Sequence, residues 1–396
     1  MSGSQKPNFA RLAPILFSFF VMGYVDIVGV AVGYAKRDFT LSNTLANLLP
    51  SMVFLWFGLC SVPVGVLMRR IGRKKTVVFS AFVTVAGLML PLIHYNFTML
   101  LLAFAILGIG NTILQVSLNP LLAGVVAPQQ MASALTLGQF VKAISSAVGP
   151  ILVAYASTHF SSWITVFYVY AATTLVSALW LMQVAVDEPP VEKTAERSRL
   201  SFGLLRDRTL LMFFFVIALS VGFEIGLMGI VPKYLQEQVG LSLEEGGYAN
   251  TLYYFARISG TFLGVFLLSR VPVIKFFVTT MALGTASLLV FIIVSDRAML
   301  YGSLFVTGLA CANIFPIALS QAIRHKPQFT DEISALMIVG VAGGALLPPI
   351  IGVVADLADQ RTSLLIPLSA LLYILGSALY AQYGSSRKLN IKQNHP

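Results

Sequence analysis

Leu12–Ala35 reads LAPILFSFFVMGYVDIVGVAVGYA, 24 residues that are apolar throughout except for one carboxylate, Asp26. About 20 such residues cross the hydrocarbon core of a bilayer, so the stretch reads as a membrane-spanning helix. It lacks a cleavage-type end, which marks a retained helix rather than a signal peptide. The same criterion applied outward gives twelve spans: 12–35, 44–68, 76–94, 98–122, 131–157, 161–184, 209–231, 248–268, 274–294, 299–322, 332–354 and 362–383. An ionisable side chain at mid-membrane depth costs on the order of a few kcal/mol and marks an ion or substrate path. Four lie well inside these spans, away from their edges: Asp26, Lys142, Glu224 and Arg257.

Composition agrees. The 396 residues are 57% hydrophobic and 11% charged, with a mean hydropathy of +0.84, which is too apolar for a soluble domain. The net charge of +10 is not a nucleic-acid footprint, because its distribution follows the membrane. With the N-terminus inside, the inward loops and tails hold nineteen Lys and Arg and the outward loops five. That asymmetry is the positive-inside rule and places both termini in the cytoplasm, in a cell inner membrane. Cys60 and Cys311 fall within spans, so neither a disulfide framework nor a metal site is implied. The four histidines are not spaced as ligands. No cofactor is expected.

The longest polar stretch, Asp187 to Arg208, carries Pro189-Pro190 and ten charged residues. It reads as a cytoplasmic linker (187–208) between an N-terminal six-helix half (1–186) and a C-terminal six-helix half (209–396). The halves echo each other: Gly23-Tyr24-Val25-Asp26 in span one matches Gly222-Phe223-Glu224 in span seven, and Leu41-Ser42 and Leu241-Ser242 open the spans that follow. Repeated halves around a midplane site characterise transporters. The fold class is therefore all-α membrane protein, twelve transmembrane helices in two pseudo-symmetric six-helix halves.

With the basic loop Gly65-Val66-Leu67-Met68-Arg69-Arg70-Ile71-Gly72-Arg73-Lys74 after span two, this organisation resembles the major facilitator superfamily, although that family's loop usually has an acidic residue where Arg69 stands. Within it, the chain is similar to the fucose–galactose–glucose:proton symporters. The residues that carry the likeness are Leu114-Gln115-Val116-Ser117-Leu118-Asn119-Pro120, Ala134-Leu135-Thr136-Leu137-Gly138-Gln139, Glu224-Ile225-Gly226, Tyr234-Leu235 and Gly343-Gly344-Ala345-Leu346-Leu347-Pro348-Pro349. The resemblance implies a proton-coupling aspartate in span one, matched by Asp26. It implies an asparagine in span five where this chain has Lys142. It also implies a span-eight arginine at Thr261, where this chain has Arg257 one turn earlier.

Helix rise places Asp26, 14 residues after Leu12, and Glu224, 14 after Leu210, at roughly 21 Å from the cytoplasmic end. Lys142 and Arg257 also come out near the middle, so two acids and two bases cancel, as buried charges require. Asp26 is read as the proton carrier, since an ammonium that approaches it in one state only makes its proton affinity alternate. A static Asp26–Lys142 pair locking helices is the alternative. Glu224 either carries protons, holds Arg257 or bonds solute hydroxyls; Lys142 and Arg257 either pair with the acids or receive a solute carboxylate. Gln115, Asn119, Gln139 and Asn313 are candidate solute ligands or bonds between helices. Tyr24 and Tyr253 could offer rings for sugar stacking or plain packing. Gly149-Pro150, Pro316 and Pro348-Pro349 are candidate kinks.

The reading is a proton-coupled symporter importing a small polar solute, with sugar first and a carboxylate-bearing solute such as a sugar acid second. Its expected partners are that solute, protons and the lipid bilayer, with no nucleic acid, as a monomer. A proton-driven drug exporter is the other alternative, weakened because Ser145 and Val153-Ala154 stand where that group's span-five glycines would fall. No nucleophile–base pair or metal-ligand set suggests an enzyme.

Overall fold

Helix starts are written plainly in the chain. Asn96 accepts a hydrogen bond from the Met99 backbone N–H at 2.8 Å, Asp296 from Met299 at 2.9 Å and Asp207 from Thr209 at 2.9 Å. Each is a polar N-cap satisfying a donor that the first helical turn leaves open. The computed structural model describes residues 9–41, 45, 48–186, 203–240, 243–345 and 347–393. Most of the expected linker (187–202), together with Ser42, Leu241-Ser242 and Leu346, lies outside the described residues.

Twelve helices are long and apolar enough to span: Ala10–Asp38, Leu48–Ile71, Arg73–Ile93, Phe97–Val125, Met131–His159, Trp163–Gln183, Arg208–Val239, Tyr248–Arg270, Val273–Ile293, Arg297–His325, Pro327–Ala355 and Gln360–Tyr383. No strand occurs among the described residues. This is a multi-pass membrane protein. Large apolar side chains such as Leu59, Phe82, Ile151, Val176, Phe266 and Ile293 stand exposed, as lipid contact requires and as a water-facing surface would not allow.

By contact the chain forms two units, residues 1–206 with 326–339 and residues 207–325 with 340–396. In the first, the fourth span is the hub, with every residue from Gly110 to Ala123 buried. A Cβ on Gly108 would lie 2.7 Å from the Val53 carbonyl, and one on Gly110 would lie 2.5 Å from the Thr84 hydroxyl. These missing side chains let spans two and three close on span four. At one end of this unit, Arg69 pairs with Glu332 at 2.7 Å and Arg73 with Asp331 at 2.7 Å, and Ser334 donates to the Val116 carbonyl at 2.9 Å. Both acids sit in the first turn of Thr330–Val341, where the helix dipole favours them.

At the opposite end of the first unit, Asp38 accepts hydrogen bonds from the Tyr95 hydroxyl at 2.7 Å and the Trp163 indole N–H at 3.0 Å. Burial, reinforced by the neighbouring carboxylate, pushes the Tyr95 hydroxyl above its ordinary range, so it remains a neutral donor. Asp38→Ala would strand both donors and is expected to cost about 1–3 kcal/mol, read as a lower melting temperature of the purified protein in detergent.

Two spans break one turn upstream of a proline. Span ten opens at Ala312–Asn313, and Ala312 is the carbonyl four residues before Pro316. Span eleven passes through a tight turn at Ala342–Ala345 before Leu347–Leu357, again four residues before Pro348 and Pro349. A proline ring clashes with that carbonyl and supplies no N–H to it. Pro150, by contrast, sits inside the continuous helix Met131–His159. Span one, without a proline nearby, tightens into a 3-10 turn over Gly23–Ile27 within the helix Ala10–Asp38.

Candidate functional site

Asp26 lies in that span-one turn. Ser146 donates to its Oδ2 at 2.5 Å, and the Lys142 ammonium lies 3.7 Å from the same oxygen. Lys142 and Ser146 are four residues apart on span five, hence on one helix face. The carboxylate is 42% exposed and the lysine 22%, so the pair is accessible rather than sealed. Gly23 makes the approach possible: a Cβ there would stand 2.7 Å from the Lys142 carbonyl and 2.8 Å from the Ser145 Cβ. The neighbouring Tyr24 is packed away, its ring stacked on Tyr170 with centroids 3.9 Å apart and its hydroxyl 2.7 Å from that of Thr173.

Span four supplies an amide ladder behind this turn. Asn111 donates to the Met22 carbonyl at 2.8 Å, Gln115 donates to Asn111 Oδ1 at 2.7 Å, and Asn119 donates to the Gln115 carbonyl at 2.7 Å. All three side chains are buried. Gln139, half-buried on span five, lies one turn before Lys142.

The second unit has its own pair. Glu224 on span seven bonds directly to Arg257 on span eight through Oε1 and Nη1. Thr261, one turn further, donates to the Arg257 carbonyl at 2.8 Å. Tyr253 is fully buried edge-on to Tyr254, and Asn313 donates to the Gly260 carbonyl at 2.9 Å across the span-ten break. Each unit thus neutralises its own acid: spans one and five do so in the first, spans seven and eight in the second. Among the described residues, no three His, Cys, Asp or Glu side chains gather as metal ligands.

Of the residues expected from sequence, the structure brings Asp26 together with Lys142, Glu224 with Arg257, and Gln115 with Asn119. It places Tyr24, Asn119, Tyr253 and Asn313 in packed positions. Ser146 and Asn111 were not anticipated. Both were findable by i, i+4 spacing, from Lys142 and Gln115 respectively.

The sequence profile of the Major Facilitator Superfamily matches residues 15–328 and 213–390. A glucose/galactose transporter of Brucella abortus biovar 1 (strain 9-941) is 26% identical over 408 residues, covering 97% of this chain and 96% of that protein. An L-fucose-proton symporter of Escherichia coli (strain K12) is 22% identical over 426 residues, covering 96% and 94%. The E. coli fucose:proton symporter FucP, in its outward conformation, superposes with a TM-score of 0.83 at 19% identity, covering 93% of this chain and 98% of that one. These relatives are transporters, not enzymes.

Proposed function

The chain belongs to the major facilitator superfamily, and from that premise we propose that it is a proton-coupled symporter importing a sugar by alternating access, with Asp26 as the proton carrier. The observation that carries this reading is the Asp26 carboxylate, set in a 3-10 stretch of span one, partly exposed, and held by one ammonium and one hydroxyl. An acid so placed exchanges protons with water, and movement of Lys142 toward or away from it changes which form is favoured. Ser146 can donate to the ionised acid or accept from the protonated one, so the proton can be held in either state without an unpaired oxygen.

In the first unit the groups proposed for solute recognition are Gln115, Gln139 and Lys142; in the second they are Glu224 and Arg257. Tyr24, Asn119, Tyr253 and Asn313 shape those groups from behind. Glu224, already committed to Arg257, serves more naturally to orient that guanidinium than to carry protons. Relatives named for glucose, galactose and fucose support a neutral hexose or deoxyhexose. The protein acts as a monomer in the cell inner membrane with both termini cytoplasmic, as the distribution of Lys and Arg favours.

A sugar acid is the second reading, and Lys142 favours it: once Asp26 is protonated, the ammonium has lost its carboxylate and suits a solute carboxylate. The test is uptake by purified protein in liposomes under an imposed pH gradient, with radiolabelled glucose, galactose, L-fucose and hexuronates. Accumulation of a neutral sugar that collapses when the gradient is dissipated is the expected result. Accumulation of hexuronates alone would replace the first reading with the second.

A further inference from the structure

The geometry points to Asn111 as the positioning residue that ties solute recognition at Gln115 to proton carriage at Asp26. Asn111 is 5% exposed and its one carboxamide is used at both ends. Its nitrogen donates to the carbonyl of Met22 at 2.8 Å, the last residue before the span-one turn, and its oxygen accepts from Gln115 Nε2 at 2.7 Å. The two bonds fix the orientation of the amide, because reversing it would set donor against donor and acceptor against acceptor.

Each neighbour of this amide is constrained. Gly108 and Gly110 press span four against spans two and three with no room for a Cβ, so Asn111 cannot be carried away by a local tilt of its own helix. Met22 is four residues from Asp26, and the intervening turn begins at Gly23, pressed against the Lys142 carbonyl. The Met22 carbonyl, which opens the 3-10 stretch, has two lone pairs. Asn111 adds a side-chain donor to it from a rigid helix. It thereby sets where the turn starts and in which direction Asp26 faces Ser146 and Lys142.

Gln115 is the other end of the lever. With its Nε2 given to Asn111, its Oε1 is left to accept from a solute hydroxyl. A solute that pulls on Gln115 acts through one amide on the carbonyl that anchors the proton-carrying turn. The same amide lets protonation at the turn alter the presentation of Gln115, since coupling between two ligands is reciprocal.

This inference rests on the symporter reading, and the experiment separates the two. Galactose uptake and the accompanying proton flux, the latter from a pH dye in the lumen, are measured together in liposomes for the wild type, Asn111→Ala and Asn111→Leu. Leucine fills the site with a branched, wholly apolar group where alanine leaves a cavity; both leave the Met22 carbonyl and Gln115 Nε2 without the amide, and whichever variant folds carries the test. In a folded variant, the protons moved per galactose are expected to fall at least fivefold, with a several-fold rise in KM for galactose. A double variant with Gln115→Ala should raise KM no further than Gln115→Ala alone. If the wild type couples protons to galactose and a folded Asn111 variant keeps the same ratio, the role of Asn111 is refuted and the symporter reading stands. A ratio kept while only the rate declines would equally refute it, leaving Asn111 as packing. A wild type that moves galactose with no protons would refute the symporter reading itself, and this inference with it.

Discussion

Asp26→Asn is expected to abolish concentrative uptake, leaving internal sugar no higher than external under a pH gradient that drives the wild type to accumulate it. An amide can accept the Ser146 hydroxyl bond but cannot take up and release a proton, so nothing links sugar movement to the gradient. The size of the loss follows from the role, since one proton gradient unit is worth about 1.4 kcal/mol and hence about tenfold in accumulation per proton carried. Labelled-sugar uptake with and without the gradient checks it. Accumulation equal to the wild type would remove Asp26 from the coupling step and leave the Asp26–Lys142 pair as a link between spans one and five.

Glu224→Ala is expected to be the most damaging single change to stability. It would leave the Arg257 guanidinium without its directly bonded carboxylate in a segment flanked by apolar helix. Removing one partner of a buried pair costs about 3–5 kcal/mol, and partial exposure of this one puts the effect toward the lower figure. The double variant Glu224→Ala with Arg257→Ala should recover a large part of the lost melting temperature, because removing both charges also removes the stranded one. Thermal unfolding of the three variants in one detergent gives the coupling term directly. Additive losses would show that each side chain matters through other contacts.

The sequence carried the architecture because the bilayer simplifies the physics. Length and apolarity alone decide a span, and helix is one of only two ways to satisfy a backbone in lipid. Pro327–Ala355 and Arg208–Val239 extend past the expected 332–354 and 209–231 because Arg, Lys and Pro at membrane edges look like loop in a hydropathy reading but continue or cap helices. The four intramembrane charges were equally legible, and the structure joins them as two pairs, each within its own unit.

The local devices were less visible. The 3-10 stretch at Gly23–Ile27 has no proline to announce it, and there Gly23 meets span five at a carbonyl 119 residues away in the chain. Asn111 resembles any asparagine in an apolar helix until the carbonyl it serves is known. Tyr24 and Tyr253 are aromatic residues beside charged ones, a pattern that suits both sugar stacking and packing. Only the Tyr170 ring lying flat on Tyr24, and the full burial of Tyr253, place them in the core of their units. Arg69 and Arg73 were read through charge count as topology, whereas they also form specific pairs with Glu332 and Asp331.

The most direct measurement is the charge moved by a neutral sugar: galactose-evoked current from liposomes adsorbed to a solid-supported membrane, at equal pH on both sides. One proton carried inward with an uncharged sugar gives a positive inward current in the wild type, and none in Asp26→Asn. Galactose that enters the wild-type liposomes, followed by radiolabel, without any current would contradict proton symport through Asp26.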